Sequence, residues 1–215
     1  MIEGLLNTEE GAKSFIKSLD KSKPLFVDTE TTGLYPWFGH RQCSIQIGQE
    51  NKAAFLPFRM KPPTDDFFFK PYENLDLRFL EWIKLQFNEF SSIDEFNAKF
   101  DTNILRADNF AMPQVLRDPY VACSLILAGK EWDRRKKKGQ VLRLKMIAKD
   151  VLGKDIGTSD ALGEYLDQKG GEKEYDKVPF ETIVPYGLDD IKLGIEVNNW
   201  AEKEIDKLGL RKVYS

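Results

Sequence analysis

Between Pro24 and Glu30 the chain reads P-L-F-V-D-T-E, an apolar run of strand formers that ends on two carboxylates two residues apart. The run is too short for a helix and is rich in β formers, so it reads as a buried strand over Pro24–Thr29. Side chains alternate across a strand, so Asp28 and Glu30 project from one face. Two carboxylates side by side repel, and the arrangement costs free energy unless a cation neutralises them. Hard divalent cations such as Mg²⁺ and Mn²⁺ take oxygen ligands, which makes this strand end a natural metal platform. By itself D-x-E is also what a polar strand end looks like where it enters a turn, and Thr31, Thr32 and Gly33 follow it here.

Further strands are expected at Ser44–Gly48, where S-I-Q-I-G alternates, and at the apolar stretch Lys52–Phe58, making a meander with the first. Ser91–Phe96 is a fourth candidate. Helical spacing appears over Glu9–Leu19, with Ala12, Phe15, Ile16 and Leu19 on one face. It appears again over Leu75–Phe90, with Leu77, Leu80, Ile83, Leu85 and Phe87 available to a core. Asp101–Ala107, Asp118–Leu127, Val141–Leu152, Asp160–Leu166 and Asp189–Leu208 are the remaining helical segments. Pro57–Pro71 holds four prolines and an Asp pair and reads as an irregular excursion. Early strands with helices between and after them indicate an α/β fold around a mixed sheet. With 215 residues, no repeat and no linker, one domain over 1–215 is expected. A chain of this size buries roughly two thirds of its unfolded surface without needing disulfides.

Charged residues make up 31% of the chain and no stretch approaches the ~20 apolar residues of a membrane span, so a membrane protein is excluded. Cys43 and Cys123 cannot form a disulfide framework, and the N-terminus lacks the basic start and apolar core of a signal peptide. A cytoplasmic setting, the host cytoplasm for a viral protein, is the expectation. The net charge of −3 hides an asymmetry: Lys130–Lys149 carries nine basic residues against two acidic ones, or +7, which leaves −10 for the rest. The run Arg134, Arg135, Lys136, Lys137 and Lys138 is either a solvated loop or a patch that attracts phosphates.

Two more acidic elements follow the first. Asn97-Ala98-Lys99-Phe100-Asp101 comes directly after a candidate strand, and Asp101 there serves equally as a helix N-cap. Tyr186-Gly187-Leu188-Asp189-Asp190 leads into the last long helix, where Tyr186 and Asp190, four apart, share a face. Asp189 points to another face. In this order D-x-E, N-x-x-F-D and Y-x-x-x-D resemble the three exonuclease motifs of the DEDD superfamily. Asp28-Thr29-Glu30-Thr31-Thr32-Gly33-Leu34 is similar to the first motif of proofreading exonucleases. Asp118-Pro119-Tyr120-Val121-Ala122, Leu144-Lys145-Met146-Ile147-Ala148 and Leu152-Gly153 resemble the stretch between motifs II and III in family A DNA polymerases. The histidine branch of the superfamily has His five residues before the last Asp. Pro185 stands there, and the chain's one histidine, His40, reads as a loop residue, so the tyrosine branch remains.

The resemblance implies a ribonuclease H-like mixed sheet flanked by helices. It implies Asp28, Glu30, Asp101 and Asp190 as ligands of two divalent cations, Mg²⁺ or Mn²⁺, with Tyr186 orienting the attacking water. Thr31 and Leu34 would line the 3′-terminal nucleotide, with Leu34 wedged between the last bases, and Asn97 would touch the strand. Blander roles stand beside these: Thr31 satisfying turn backbone, Leu34 packing. Tyr35, Trp37 and Phe38 offer either stacking surfaces or local core. Arg134–Lys138 would guide the strand. The implied activity is 3′–5′ hydrolysis of single-stranded DNA from its 3′ end, of the proofreading type. Leu208 to Ser215 resembles the joint to a polymerase, so a DNA polymerase in cis or in trans is the implied partner. Two other readings stand against it: an exoribonuclease of the RNase D type, and a single-strand-binding module that does not cut.

Overall fold

The computed structural model describes residues 4–63, 72–111, 116–127, 143–155, 157–168 and 174–214. The basic run 134–138 and the later part of the proline-rich excursion lie outside the described residues. Among those described, six strands form one mixed sheet: β1 (Gly4–Leu5), β2 (Leu25–Thr31), β3 (Gln42–Gln49), β4 (Lys52–Pro57), β5 (Ile93–Asp94) and β6 (Leu116–Arg117). Their order across the sheet is β1-β4-β3-β2-β5-β6. The meander β2-β3-β4 is antiparallel, and β1, β5 and β6 join it in parallel pairs. This is the α/β fold with a mixed sheet that the strand patterns predict, with β1 and β6 added as two-residue strands too short to show a period.

The helices are α1 (Glu9–Lys17), α2 (Phe79–Phe87), α3 (Ala98–Ala107), α4 (Pro119–Leu127), α5 (Leu144–Leu152), α6 (Gly157–Gln168), α7 (Phe180–Lys207) and the short α8 (Arg211–Tyr214). Three boundaries differ from the sequence reading. Helix α2 is shorter than Leu75–Phe90, and Leu77 and Leu85 face solvent, Leu85 at 65% exposure, while Leu80, Ile83 and Phe87 are buried. Helix α3 starts three residues before Asp101, so Asp101 lies within its first turns rather than capping it, and Asn97 holds the cap position in the left-handed region at φ 64°. Helix α7 starts at Phe180 rather than Asp189 and runs through Pro185, whose missing N–H removes one bond close to the N-terminus.

The two faces of the sheet bury different things. On one, Leu25, Val27, Ile45, Ile47 and Leu56 pack with Phe15 and Ile16 of α1, Ile83 and Phe87 of α2 and Leu105 of α3. On the other lies α7, whose approach depends on absent side chains. A Cβ on Gly194 would run into the ring of Phe26, and one on Gly187 would sit 2.9 Å from Gln46 Cγ. In return Gly48 of β3 admits Ile191, whose Cγ2 would lie 2.5 Å from a Cβ there. Gly187, Ile191 and Gly194 recur at helical spacing, so one stripe of α7 rests directly on β2 and β3. Helices α4 and α5 flank α7 through Ala122, Cys123, Ile126, Ile147, Ala148, Leu193 and Val197. No helix among the described residues is long and apolar enough to cross a membrane.

Candidate active site

The close seating of α7 carries Asp190 to the carboxylates of β2. Asp28 and Glu30 stand opposite Gln46 and Ser44 of β3, and the register shifts just beyond, between Glu30 and Thr31. Gln46 Nε2 donates to Ser44 Oγ at 2.7 Å, so the neighbouring strand presents a polar surface to the acidic pair. One carboxylate oxygen from each of Asp28, Glu30 and Asp190 lies within 4.8 Å of the others. Asp101 approaches from the flank, where its Oδ1 accepts from the Thr29 amide at 3.0 Å and the Thr29 hydroxyl at 2.6 Å. The start of α3 is fixed by Asp118, whose carboxylate accepts from the amides of Asn97, Ala98 and Tyr120 at 2.9, 3.0 and 2.9 Å. One side chain therefore ties the N-termini of α3 and α4 together and holds Asp101 in place.

These residues line a cavity of about 480 Å³, together with Phe96, Asn97, Phe100, Tyr120, Arg143, Leu144 and Tyr186. Burial, then the neighbouring Asp101, Asp190 and Glu30 charges, push the Asp28 carboxyl well above its ordinary range. Glu30 is raised in the same way, by burial first and then by Asp190. Burial raises Asp101 to about 7 against the pull of its Thr29 bonds. Asp190 is raised by burial and restrained by Lys145, whose Nζ lies 3.0 Å from Asp190 Oδ1, and by a hydrogen bond from Tyr186. Clustered carboxylates that resist ionisation become ligands once a cation neutralises them. An all-oxygen donor set suits Mg²⁺ or Mn²⁺ rather than a soft metal. The residues fit the expected divalent cation.

The structure brings together Asp28, Glu30, Asp101, Tyr186, Asp190 and Asn97 of the residues singled out in the sequence. Thr31 is buried, and its hydroxyl donates to the Gly33 carbonyl at 3.0 Å, which is the turn role and not a place on the cavity wall. Leu34 is exposed, as are Trp37 at 69% and Phe38 at 73%, so the Y-P-W-F cluster is surface and not core. Asp189 lies off the site and accepts from the Thr158 hydroxyl at 2.9 Å. His40 is a loop residue whose Nδ1 accepts from the Tyr35 amide. Sequence reasoning misses Lys145. Within the basic window it reads as either solvated or phosphate-facing, yet it is 7% exposed and sits 3.2 Å from the centroid of the Tyr186 ring. The available signal is its place in L-K-M-I-A, one turn from buried Ala148. Phe96, Phe100 and Tyr120 likewise carry no sequence signal as cavity lining.

The family model DNA_pol_A_exo1, a 3′-5′ exonuclease, matches residues 5–206. Among solved structures, Brucella melitensis NrnC with bound Mg²⁺ is similar at 19% identity with a TM-score of 0.57, covering 90% of this chain and 79% of NrnC. The catalytic core of RRP6 from Trypanosoma brucei, mutant C496S, gives 13% identity and a TM-score of 0.65, covering 98% of this chain and 49% of that one. Escherichia coli RNase D, an exoribonuclease involved in structured RNA processing, gives 13% identity and a TM-score of 0.60 and covers 95% and 45%. The chain thus spans about half the length of the last two. No curated protein sequence matches it.

Proposed function

The chain belongs to the DEDD-type 3′-5′ exonucleases whose family model it matches over residues 5–206, and from that premise we propose that it removes nucleotides from the 3′ end of single-stranded DNA. The observation that carries the reading is the convergence of Asp28, Glu30 and Asp190 to within 4.8 Å in a cavity that Tyr186 and Asp101 also line. Its volume falls within the range of small-ligand sites, suited to one terminal nucleotide. Phe96, Phe100 and Tyr120 supply aromatic surface on which a base can stack, next to the acidic floor where the phosphodiester would lie.

In this reading Asp28, Glu30 and Asp190 hold one divalent cation, and Asp101 shares a second with Asp28. Such cations, when bound, supply activation of water and stabilisation of the leaving oxygen. The chain's own groups do the rest. The carboxylates give up their protons on binding. The Tyr186 phenol, raised well above its ordinary range by burial and by Asp190, keeps its proton and donates a hydrogen bond that orients the attacking water. The aromatic wall and Asn97 orient the nucleotide, and Arg143 offers a positive charge to its phosphate. No protein nucleophile is required. A DNA polymerase, in cis or in trans, is the proposed partner, on the strength of the family and of the C-terminal resemblance.

A second reading, hydrolysis of RNA, is favoured by the likeness of the fold to RNase D. The deciding experiment is digestion of 3′- and 5′-labelled DNA and RNA oligonucleotides with Mg²⁺, Mn²⁺ or EDTA. Stepwise loss from the 3′ end of DNA, abolished by EDTA, supports the first reading. Preference for RNA selects the second, and binding of single strands without cleavage overturns both.

A further inference from the structure

Lys145 is the one side chain at the acidic cluster to which the exonuclease reading gives no task. It enters from α5, where Ile147 and Ala148 pack against α7, and is buried with its Nζ 3.0 Å from Asp190 Oδ1. The ammonium also lies over the Tyr186 ring, 3.2 Å from its centroid, a geometry in which the aromatic face attracts a cation. Among the described residues it is the one cation ion-paired to any of Asp28, Glu30, Asp101 and Asp190. Burying an ammonium is costly unless it is paired, so this seat is specific. Asp190 thereby belongs to two sets at once: the ion pair with Lys145 and the group of three carboxylates within 4.8 Å. One carboxylate serves two cations, and one of these is built into the chain.

Resting on the exonuclease reading, we propose that Lys145 is a resident counter-ion that competes with the divalent metal for Asp190. Without metal it neutralises part of the acidic cluster and keeps Asp190 facing β2. When metal binds, the ammonium yields the carboxylate, so the metal is held less tightly than four carboxylates alone would hold it. The sign follows from Coulomb's law. A metal–oxygen bond is about 2 Å long, so a cation on Asp190 would stand within roughly 5 Å of Nζ, where a single charge repels a double one strongly even in a high effective dielectric. A lysine that merely oriented Asp190 would have the opposite effect, since loss of an outer-shell orienting partner weakens metal binding by about 10–100-fold.

The test uses the full chain without nucleic acid and reads Mn²⁺ binding by calorimetry or by the paramagnetic signal of the free ion. Lys145→Met keeps most of the stem and removes the charge. It is expected to bind at least one Mn²⁺ roughly tenfold more tightly and to melt lower than the wild type in EDTA. Lys145→Arg, which keeps the charge, should stay near wild-type affinity. Unchanged or weaker binding in the Met variant overturns the proposal. Amine acylation of the wild-type protein, read at Lys145 by mass spectrometry, needs no variant to fold. Labelling should rise when Mn²⁺ saturates the site, and labelling that stays level or falls counts against displacement. The parent reading is judged separately by wild-type cleavage. A protein that behaves as predicted toward Mn²⁺ yet degrades neither DNA nor RNA loses the exonuclease reading and keeps the counter-ion.

Discussion

Asp101 accepts two hydrogen bonds from Thr29, one from its amide at 3.0 Å and one from its hydroxyl at 2.6 Å, across 72 residues of sequence. Thr29 is the residue between Asp28 and Glu30, so α3 is fastened to the site strand at the centre of its acidic pair. This bond sets Asp101 apart from the other three carboxylates. It is part of the scaffold as well as part of the cluster.

The two roles separate in substitution. Asp28→Ala and Asp101→Ala are both expected to abolish cleavage, but their effects on metal-free stability should differ in sign. Removing Asp28 takes away a charge that is opposed by burial and three neighbouring acids, so stability should hold level or rise. Removing Asp101 leaves the buried Thr29 donors unpaired and should cost about 1–3 kcal/mol. Chemical denaturation in EDTA checks both. An Asp101→Ala protein as stable as Asp28→Ala would show that the Thr29 bonds carry no weight.

Tyr186→Phe is expected to be milder than any carboxylate change. The hydroxyl orients water and bonds to Asp190 without being a ligand, so turnover should fall by roughly 10²–10³-fold at most, with Mn²⁺ affinity nearly kept. Inactivity equal to Asp28→Ala, together with lost Mn²⁺ binding, would make the tyrosine part of the metal site.

Stability in EDTA should fall as pH rises. Asp28 and Glu30 are raised well above their ordinary values and Asp101 to about 7, so between about pH 4 and 7 the folded protein holds protons that the unfolded chain has released. More protons on the folded form means that stability declines with pH through that window. Away from the site, burial raises Asp94 to about 6 and Glu95 to about 8, adding the same sign. Saturating Mg²⁺ should flatten the portion due to the site, and Glu95→Gln should remove part of what remains. Melting temperatures from pH 5 to 8, with and without Mg²⁺, decide it. A rise with pH in EDTA would contradict the burial of these acids.

What is legible in the sequence are the periods and the carboxylates. The P-L-F-V-D-T-E run, the alternation of β3 and the four-residue step from Tyr186 to Asp190 each contain their geometry locally. What is not legible depends on partners distant in the chain. Pro185 obscures the first turns of α7 because a proline normally ends a helix, yet tertiary packing holds this one. Leu77 and Leu85 fit an apolar pattern but face solvent, since the sheet needs only one stripe of α2. Lys145 groups with its basic neighbours because charge runs are ordinarily solvated, and only its long-range pairing with Asp190 shows otherwise. The glycines of α7 have no visible purpose until Phe26 and Gln46 stand against them.

The basic run Arg134 to Lys138 yields a prediction from charge alone. Changing all five residues to Ser should raise KM for single-stranded DNA and leave turnover at saturation nearly unchanged, because the carboxylates that would do the chemistry are elsewhere. The log–log dependence of binding on salt should flatten by about 0.7 for each phosphate that the run no longer neutralises. An unchanged KM and salt slope would return the run to a solvated loop.

The approach of Gly194 to Phe26 offers a test of how the site is assembled. Neither residue lines the cavity, yet the distance between α7 and β2 sets where Asp190 meets Asp28 and Glu30. Gly194→Ala would place a Cβ in the Phe26 ring, and overpacking of this kind costs about 1–3 kcal/mol. The helix should move outward, weakening Mn²⁺ binding and turnover together. Phe26→Leu makes room by replacing the ring with a shorter side chain and by itself should cost stability through the cavity it leaves. Combined with Gly194→Ala, the two should couple favourably, with stability and Mn²⁺ affinity both better than the sum of the single effects. Strict additivity in the double-mutant cycle would mean that the helix absorbs the methyl elsewhere, and that this packing does not set the position of Asp190.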